Sequence, residues 1–573
     1  MWRIRLSLAG IALLLMSCTP AASPGNRAQS SAPQASTSTQ SGRTLVMAVR
    51  IEPNSLAARP LVPQAIASYL SRRMFNADLA LIDGTGTPRP YLVDALPELN
   101  TDSWRVFPDG RMETTYRLRE GAAWHNGSPL TSNDFLFAYR VYTHPLFGGT
   151  SPPLSYMDEV TAPDAHTVLI RWKRPFADAG SLQSVTVGSN PFPPLPQSLL
   201  GELFDSEPEG FQNAPFWSQA YVGLGPYRIA QWEPGSFYVA TAFDKHVLGA
   251  PKIERIRVQF MSDGNAVLAS MLAGEVQFSA DVALQVSHVP MLLKEWPSGR
   301  GTAIQHPNQW RTIFIQRRPD YVNPRMLLDP RVRKAIAHAI DKDAIAEAVY
   351  EGQAPSSDAP MPPTSEVGRA IDAAIAKYPL DLRRTADLMT QAGFTRGGDG
   401  IYVGPTGARA ETEIKSNAGV NFEAEMAILA NGWGQAGFKV AEIAIPTAQA
   451  QDPELRGAYP GLFAANTNVG EATATIFTTA QIPLPENRWT GSNRSGFSHA
   501  EYDRLVDAYT TALDRNERNR LLVDISKIFA EELPTISLSF QPQPWVHISE
   551  VAGPQVVPAE TNVSWNIHEW AFR

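Results

Sequence analysis

The sequence predicts a protein of mixed α and β structure. Strand and helix signals alternate along residues 44–573 without an internal repeat. This length exceeds what one hydrophobic core usually organises, so we expect two or three lobes. Cys18 is the only cysteine, which excludes an intramolecular disulfide, so the fold must depend on its core.

The N-terminus predicts export and a lipid anchor. Arg3 and Arg5 precede an apolar run that is too short to span a bilayer, as in a signal peptide over residues 1–17. The run ends in Leu-Met-Ser-Cys and resembles the lipobox of bacterial lipoproteins, which implies that Cys18 becomes the acylated first residue. An ordinary signal peptide with an incidental cysteine is the alternative. Residues 18–43 continue as a Ser-, Thr-, Ala- and Pro-rich stretch, which predicts a disordered tether.

Several strands can be predicted from alternation. Residues Arg255–Phe260 alternate polar and apolar side chains, and Thr167–Trp172 do likewise. Residues Tyr227–Trp232 and Phe237–Ala242 flank Glu-Pro-Gly-Ser, which predicts a hairpin because Pro presets the first turn angle and Gly tolerates a positive φ.

Helix starts are marked by capping residues. Asp329 before Pro330 predicts an N-cap, and Asp341 starts a second helix. Ser498 with Glu501, and Asp514 with Glu517, predict capping boxes for two later helices. Apolar stripes follow these starts and are interpreted as core: Val332, Ala335, Ile336, Ala339 and Ile340; Tyr502, Leu505, Val506 and Tyr509; Leu521, Leu522, Ile525 and Ile528.

The groups needed for common enzyme chemistry do not assemble in the sequence. It has no Gly-x-Ser-x-Gly nucleophile elbow, no His-Glu-x-x-His zinc pair and no phosphate loop. Gly223-Leu224-Gly225 begins like a dinucleotide loop, but Pro226 removes an amide donor, so a turn is predicted. The ten histidines are dispersed, and we expect no cofactor and no metal. The net charge of −8 without basic clusters argues against nucleic acid as a partner.

An ordered series of motifs spans most of the chain. The most specific block runs from Thr114 to Gly121, from Trp124 to Thr131 and through Asn133-Asp134-Phe135, a strand, a turn needing Gly127 and a helix capped by Thr131. Further segments are Ala162–Thr167, Gly223–Tyr227, Leu272–Val276, Asp329–Ala335 and Asn566–Trp570. In these segments the chain resembles the bacterial extracellular solute-binding proteins of family 5, which include oligopeptide-, dipeptide- and nickel-binding proteins of ABC importers.

The resemblance implies a periplasmic-binding-protein-like fold of type II, in its large three-lobe form with a ligand cleft between lobes. Lobe I would combine residues 44–84, 221–300 and 531–573, lobe II would be residues 85–220, and lobe III residues 301–530. Two chain crossings would form a hinge that closes around a ligand.

The resemblance also implies where a ligand would bind. Many peptide binders of the family carry an aspartate in a Trp-x-x-Asp segment, because a buried ammonium needs an anionic partner. Here residues 463–471 contain no aspartate, and Ser55-Leu-Ala-Ala replaces the family's Ser-Leu-Asp-Pro. We therefore expect neutral or anionic ligands to bind better than free-amine peptides. The candidate ligand-binding residues are Trp310, Arg311, Trp433, Asn466, Asn468, Glu471 and Trp489.

Each candidate has a structural alternative. Glu471 either replaces the missing aspartate or lies at the surface, the tryptophans either stack on a ligand or belong to the core, and Arg311 either pairs a ligand carboxylate or is an exposed loop residue.

The function implied is that of a monomeric, lipid-anchored substrate-binding subunit of an ABC importer, on the outer face of the cytoplasmic membrane. It would deliver a peptide-like or other small solute to a permease powered by an ATPase. The alternatives are an exported hydrolase, such as a peptidase or glycosidase, and a solute sensor or chaperone that reuses the fold.

Overall fold

A computed structural model of the protein describes residues 43–61, 69–147, 153–183, 192–450, 452–487, 489, 491–559 and 561–573. The predicted signal peptide, Cys18 and all of the predicted tether except Arg43 lie outside these residues. Among the residues described, no helix combines the length and apolar character that crossing a membrane requires.

The first half of the chain alternates strands and helices, as predicted. Its elements are β1 (Thr44–Val49), α1 (Tyr69–Phe75), β2 (Ala80–Ile82), β3 (Pro88–Pro90), β4 (Trp104–Val106), β5 (Met112–Arg117), α2 (Ser132–Tyr142), β6 (Met157–Asp164), β7 (Thr167–Trp172), α3 (Gln197–Ser206), β8 (Tyr227–Glu233), β9 (Phe237–Ala242), β10 (Arg255–Phe260), α4 (Gly264–Ala273), β11 (Phe278–Ser279) and α5 (His288–Glu295).

The second half contains the longest elements. They are β12 (Gly301–Ile315), α6 (Pro330–His338), α7 (Lys342–Tyr350), α8 (Glu366–Ala374), α9 (Leu382–Gln391), β13 (Thr395–Arg396), β14 (Tyr402–Val403), β15 (Glu411–Asn417), α10 (Val420–Ala436), β16 (Lys439–Ile445), α11 (Pro453–Gly457), β17 (Leu462–Asn468), α12 (Ala500–Thr511), α13 (Arg515–Glu532), β18 (Thr535–Ile548), β19 (Val551–Ala552) and β20 (Ala571–Phe572).

A ten-stranded mixed sheet organises the molecule, in the order β16-β15-β17-β12-β18-β11-β1-β10-β9-β8. At one end β1 pairs in parallel with β10 and β11, and at the other β15 pairs in parallel with β16 and β17. The antiparallel pair β12–β18 joins these two regions. Its register shifts between His306 and Gln309, and again between Arg311 and Thr312, so the ladder is interrupted part-way along.

A separate four-stranded antiparallel sheet has the order β4-β5-β7-β6. It contains the predicted strand Thr167–Trp172, whose bounds are confirmed. Thr131 is the N-cap of α2, as predicted, and it forms a capping box with Asp134, whose carboxylate accepts the Thr131 N–H at 2.9 Å.

Among the described residues, the buried apolar side chains form three clusters. The first draws on residues from Leu45 to Ile304 and, from the C-terminal segment, on residues from Trp545 to Trp570. The second and third lie around β12 and β17, and include Ile313 and Trp310 respectively. Each end of the β12–β18 pair therefore lies against a different core.

Most local predictions are confirmed. Strands β8 and β9 form the predicted hairpin, and Gly235 in its turn has a φ of +74°. Asp329, Asp341 and Asp514 each accept a hydrogen bond from the first turn of the helix that they precede. The predicted stripes are buried except for Ile528, which is half-buried.

The predicted capping box at Ser498 is wrong. His499 is the N-cap of α12, and its Nδ1 accepts the Tyr502 N–H at 3.1 Å. Ser498 instead contacts the Thr479 hydroxyl at 3.0 Å, and Glu501 pairs with Arg504. The imidazole supplies the acceptor that the hydroxyl was expected to supply.

The turn predicted at Gly223–Gly225 lies against α1. A Cβ on Gly225 would stand 2.4 Å from the Met74 carbonyl oxygen, so only glycine fits this backbone approach. The His125 ring holds the turn from the other side, since its Nδ1 accepts the Gly223 N–H at 3.1 Å and its Nε2 lies 3.0 Å from the Gly225 oxygen. The motif block is therefore scaffold.

Candidate functional site

A cavity of about 930 Å³ lies between segments that are distant in the sequence. We call the lining residues within 82–104 and 156–183 the first wall, and those within 361–367 and 471–518 the second wall. Pro558 and Thr561 of the C-terminal segment also line it. A cavity assembled in this way is suited to bind a small molecule.

The first wall is aromatic. Trp104 and Phe176 are buried, and Tyr156 meets Phe176 edge-on with ring centroids 5.3 Å apart. Phe176 also stacks on Trp172 of β7 at 5.2 Å. This packing anchors the cavity-lining rings to the four-stranded sheet, so the wall offers a fixed apolar surface.

The second wall carries charge. Glu471 follows β17, at the start of a 3₁₀ turn over Glu471–Phe477. Its carboxylate binds Arg515, whose Nη1 lies 3.1 Å from Oε2 and whose Nη2 bonds Oε1. The Tyr509 hydroxyl donates to Oε2 at 2.8 Å, and Arg518 Nη2 lies 3.6 Å from the same oxygen. Both carboxylate oxygens thus have partners from α12 and α13.

The pKa of the Glu471 carboxyl lies below its usual range. Burial alone would raise the pKa, but Arg515, Arg518 and the Tyr509 hydroxyl outweigh it. For Arg518, burial would lower the pKa, but Tyr509, Asp178 and Glu471 raise it. Burial, followed by Glu471, raises the pKa of Tyr509, so its hydroxyl stays protonated at neutral pH.

Two ion pairs connect the walls. Arg518 Nη1 donates to Asp178 Oδ1 at 3.1 Å, and Arg174 Nη2 donates to Asp507 Oδ1 at 2.9 Å. The partners are 340 and 333 residues apart in the chain. These contacts hold the aromatic wall against α12 and α13.

Among the candidates from the sequence, Trp310 and Trp433 are core residues. Both are fully buried; the Trp310 indole donates to the Ser537 hydroxyl at 2.7 Å, and the Trp433 indole donates to the Ile336 oxygen at 3.0 Å. Their indole N–H groups are therefore engaged within the protein.

Arg311 is neither an exposed loop residue nor directed into the cavity. It is buried on β12 and bonds the buried Glu425 of α10, with Nη2 2.7 Å from Oε1. Its other donors reach Ser416 at 2.9 Å and Asn466 at 3.3 Å. The Asn466 amide in turn donates to Gln541 at 2.9 Å. Protein groups thus occupy the polar atoms of both candidates.

The remaining candidates differ in position. Asn468 pairs with Gln309 through the β17–β12 ladder, and its side chain lies outside the described part of the structure. Trp489 is half-buried with a φ of +60°, and its ring lies 5.8 Å from the Arg318 guanidinium. Glu471 alone of the seven candidates is among the residues described as lining this cavity.

Sequence reasoning missed Asp178, Arg515 and Arg518, and it assigned Tyr509 to the core only. Tyr509 is indeed buried, but its hydroxyl reaches Glu471. Arg515 and Arg518 stand three residues apart at the start of α13, a spacing that places both on one helix face and is the signal available in the sequence. Asp178 has no comparable signal.

Within the described residues, no group of three or more His, Cys, Asp or Glu side chains is arranged to hold a metal ion.

A family model described as bacterial extracellular solute-binding proteins, family 5, middle region, matches residues 95–479. The chain belongs to this family. The family predicted from the sequence motifs is thereby confirmed.

Relatives with known names agree with this assignment. The chain spans about half the length of the curated relatives that it matches first. One of them is named as an ABC transporter peptide-binding protein, from Brucella ovis. It is 26% identical over 299 residues, which is 51% of each chain. The oligopeptide-binding protein from Thermus thermophilus, solved with a pentapeptide, has a TM-score of 0.73 at 21% identity, covering 92% of this chain and 96% of that one. NikA from Brucella suis, solved with Fe(III)-EDTA, has a TM-score of 0.74 at 17% identity, covering 93% of this chain and 100% of that one. The family fold predicted from the sequence is thereby confirmed.

Proposed function

We propose that the protein is the substrate-binding subunit of an ABC importer. It captures a peptide-like or other small solute and delivers it to a membrane permease, which an ATPase powers. The observation that carries this proposal is a cavity of about 930 Å³ between distant segments of a chain that belongs to a solute-binding family. The names of the Brucella and Thermus relatives support a peptide-like ligand.

The cavity walls suit an amphipathic solute. The rings of Trp104, Tyr156 and Phe176 offer an apolar surface, and the cluster around Glu471 offers polar groups at the opposite wall. Ligand cavities of about 300–1,000 Å³ bury most of the surface of a ligand the size of a short peptide or drug.

Ligand capture is proposed to close lobes I, II and III, with the boundaries predicted from the sequence. Two features support a hinge at the lobe I–III crossing: β12 and β18 reach different cores at their two ends, and their ladder is interrupted between His306 and Gln309. A ligand that binds both walls stabilises the closed form, because its contacts are complete only there.

Native mass spectrometry tests the proposal. Protein purified under gentle conditions should carry a small solute, and calorimetry with that solute should show saturable binding. The solute should be released unchanged, and small-angle scattering should show a smaller radius of gyration when it is bound. Chemical conversion of the solute at catalytic rates would contradict the proposal.

We also propose that lipid on Cys18 anchors the protein to the outer face of the cytoplasmic membrane. The lipobox-like sequence before Cys18 supports this. Acyl chains contribute about 0.8 kcal/mol per buried methylene, so they dominate retention at a membrane. Cys18→Ala should release the protein from membranes or leave an unprocessed precursor. A variant that stays membrane-bound after cleavage would show that the anchor lies elsewhere.

A further inference from the structure

Three side chains from two helices surround a carboxylate in the manner of a receptor. Arg515 presents a guanidinium fork to both oxygens of Glu471, Tyr509 donates a hydroxyl, and Arg518 lies 3.6 Å behind. A guanidinium fork matches the two oxygens of a carboxylate and recognises it with defined geometry. Nothing in the geometry of these donors requires the carboxylate to belong to the protein.

The site opens toward the cavity. Arg515 is 59% exposed and Glu471 21% exposed, and both line the cavity. Arg518 is more enclosed, at 12% exposed, and its other Nη atom holds Asp178 of the opposite wall. A solute in the cavity therefore approaches Arg515 and the Glu471 carboxylate directly.

We propose that Arg515, Arg518 and Tyr509 form a carboxylate-binding subsite that Glu471 occupies from within, so that the protein selects solutes without negative charge at this end. The selectivity rests on the proposed function, since it concerns the solute of the same cavity. The sequence led us to expect that the protein prefers neutral or anionic ligands. With this subsite, we expect it to prefer neutral ligands only.

The charge balance of the cluster explains the selectivity. Asp178 and Glu471 carry two negative charges, and Arg515 and Arg518 carry two positive charges. A solute carboxylate that reached Arg515 would stand beside Glu471 in a partly dehydrated site, where like charges repel strongly. An ammonium gains little there, because Arg515 and Arg518 already neutralise Glu471. An uncharged polar group is not repelled by Glu471 and does not need a charged partner there.

Chemical rescue distinguishes two roles of the Glu471 cluster. It is either a carboxylate-binding subsite or a structural salt bridge that only attaches the Glu471 turn to α13. Glu471→Ala vacates the space between the arginines. We expect acetate to raise the melting temperature of this variant more than acetamide or chloride does at equal ionic strength. The wild type should show no such preference for acetate.

Glu366→Ala is the matched control. Glu366 is an exposed carboxylate on the lining of the same cavity, at the start of α8, and no guanidinium among the described residues is bonded to it. Its removal changes the cavity charge equally without vacating a subsite. Two results would overturn the subsite. Acetate and acetamide could raise the melting temperature of Glu471→Ala equally, or acetate could raise the melting temperatures of Glu471→Ala and Glu366→Ala equally.

The selectivity is measured with two peptides that differ only at the C-terminus. The probes are N-acetyl-tetra-alanine amide, which is neutral, and N-acetyl-tetra-alanine, which ends in a carboxylate. We expect the wild type to prefer the amide and the isosteric Glu471→Gln to shift the affinity ratio toward the carboxylate by about tenfold or more, since it frees charge-assisted donors. An unchanged ratio would refute the selectivity. Acetate rescue without binding of either peptide would instead reject the peptide-like ligand and leave the subsite standing.

Discussion

Arg311 and Glu425 form an ion pair at the centre of the second half of the molecule. Both side chains are almost completely buried, and Ser416, Asn466 and Tyr350 complete the hydrogen bonds around them. The guanidinium also lies over the Phe422 ring at 4.4 Å. A buried pair of this kind constrains how β12 packs on α10, because separating the two groups would leave each charge buried without a partner.

Removing one charge of this pair should be strongly destabilising. We expect Glu425→Gln to lower the free energy of unfolding by about 3–5 kcal/mol, because the Arg311 guanidinium remains buried without a counter-ion. Urea unfolding measures the loss. Glu501→Gln, which removes the partner of the exposed Arg504, should leave the midpoint unchanged. Equal effects of both changes would contradict this account.

His125 should make the free energy of unfolding depend on pH in the acidic range. Burial lowers the pKa of its imidazole to about 4, well below the ordinary value. Between about pH 6.5 and pH 4 the unfolded chain binds a proton that the folded protein does not, so the free energy of unfolding falls as the pH falls. The effect of this one group is on the order of 3 kcal/mol when complete.

Denaturation as a function of pH isolates this contribution. His125→Asn should flatten the loss of stability across that window, and nuclear magnetic resonance should show the wild-type His125 ring neutral down to about pH 4. Protonation of the folded protein's His125 near pH 6.5 would contradict the assignment.

At the level of elements, the turn at Gly223–Gly225 depends on the absence of side chains. Gly225→Ala would place a methyl group 2.4 Å from the Met74 carbonyl oxygen of α1. We expect a loss of about 3 kcal/mol in the free energy of unfolding, the upper end of the usual cost of overpacking. Gly398→Ala is the control, because a Cβ there has no neighbour within 4 Å. If Gly225→Ala leaves the free energy of unfolding unchanged, α1 can shift away from the turn and make room for the methyl group.

The same elements show what the sequence can predict. The hairpin at Gly235 and the cap at Asp514 depend on residues a few positions apart, and local signals identified both. Ser498 failed as a cap because the next residue, His499, also accepts hydrogen bonds.

The site was harder to predict, because its contacts are distant in the sequence. Glu471 meets Arg515 from 44 residues away, and Arg518 meets Asp178 from 340 residues away. The buried partner of Arg311 had no local signal for the same reason, since Glu425 stands 114 residues further along. No local pattern encodes such pairs.

At the scale of the whole molecule, the ion pairs between the cavity walls should favour the closed form that we propose for ligand capture. Removing them with Asp178→Asn and Asp507→Asn together should shift the protein toward open forms, because each pair contributes at most about 1 kcal/mol and two shift an equilibrium several-fold. Small-angle scattering without ligand should show a larger radius of gyration. Asp205→Asn, which breaks the Arg140–Asp205 pair between α2 and α3, is the control, because neither helix contributes a residue to the described cavity lining. An unchanged radius in the double variant would mean that other contacts hold the walls.

The position of β18 affects how the protein is made. This strand lies near the middle of the ten-stranded sheet, between β12 and β11, yet it is the last of the ten strands in chain order. The first core likewise includes Trp545 and Trp570, so it cannot be completed before these residues have been synthesised. A growing chain therefore cannot complete its central sheet until β18 has been synthesised, and such distant pairings form slowly. If the proposed signal peptide directs the chain through a secretion channel, a central sheet that forms late favours a chain that is still unfolded while it crosses.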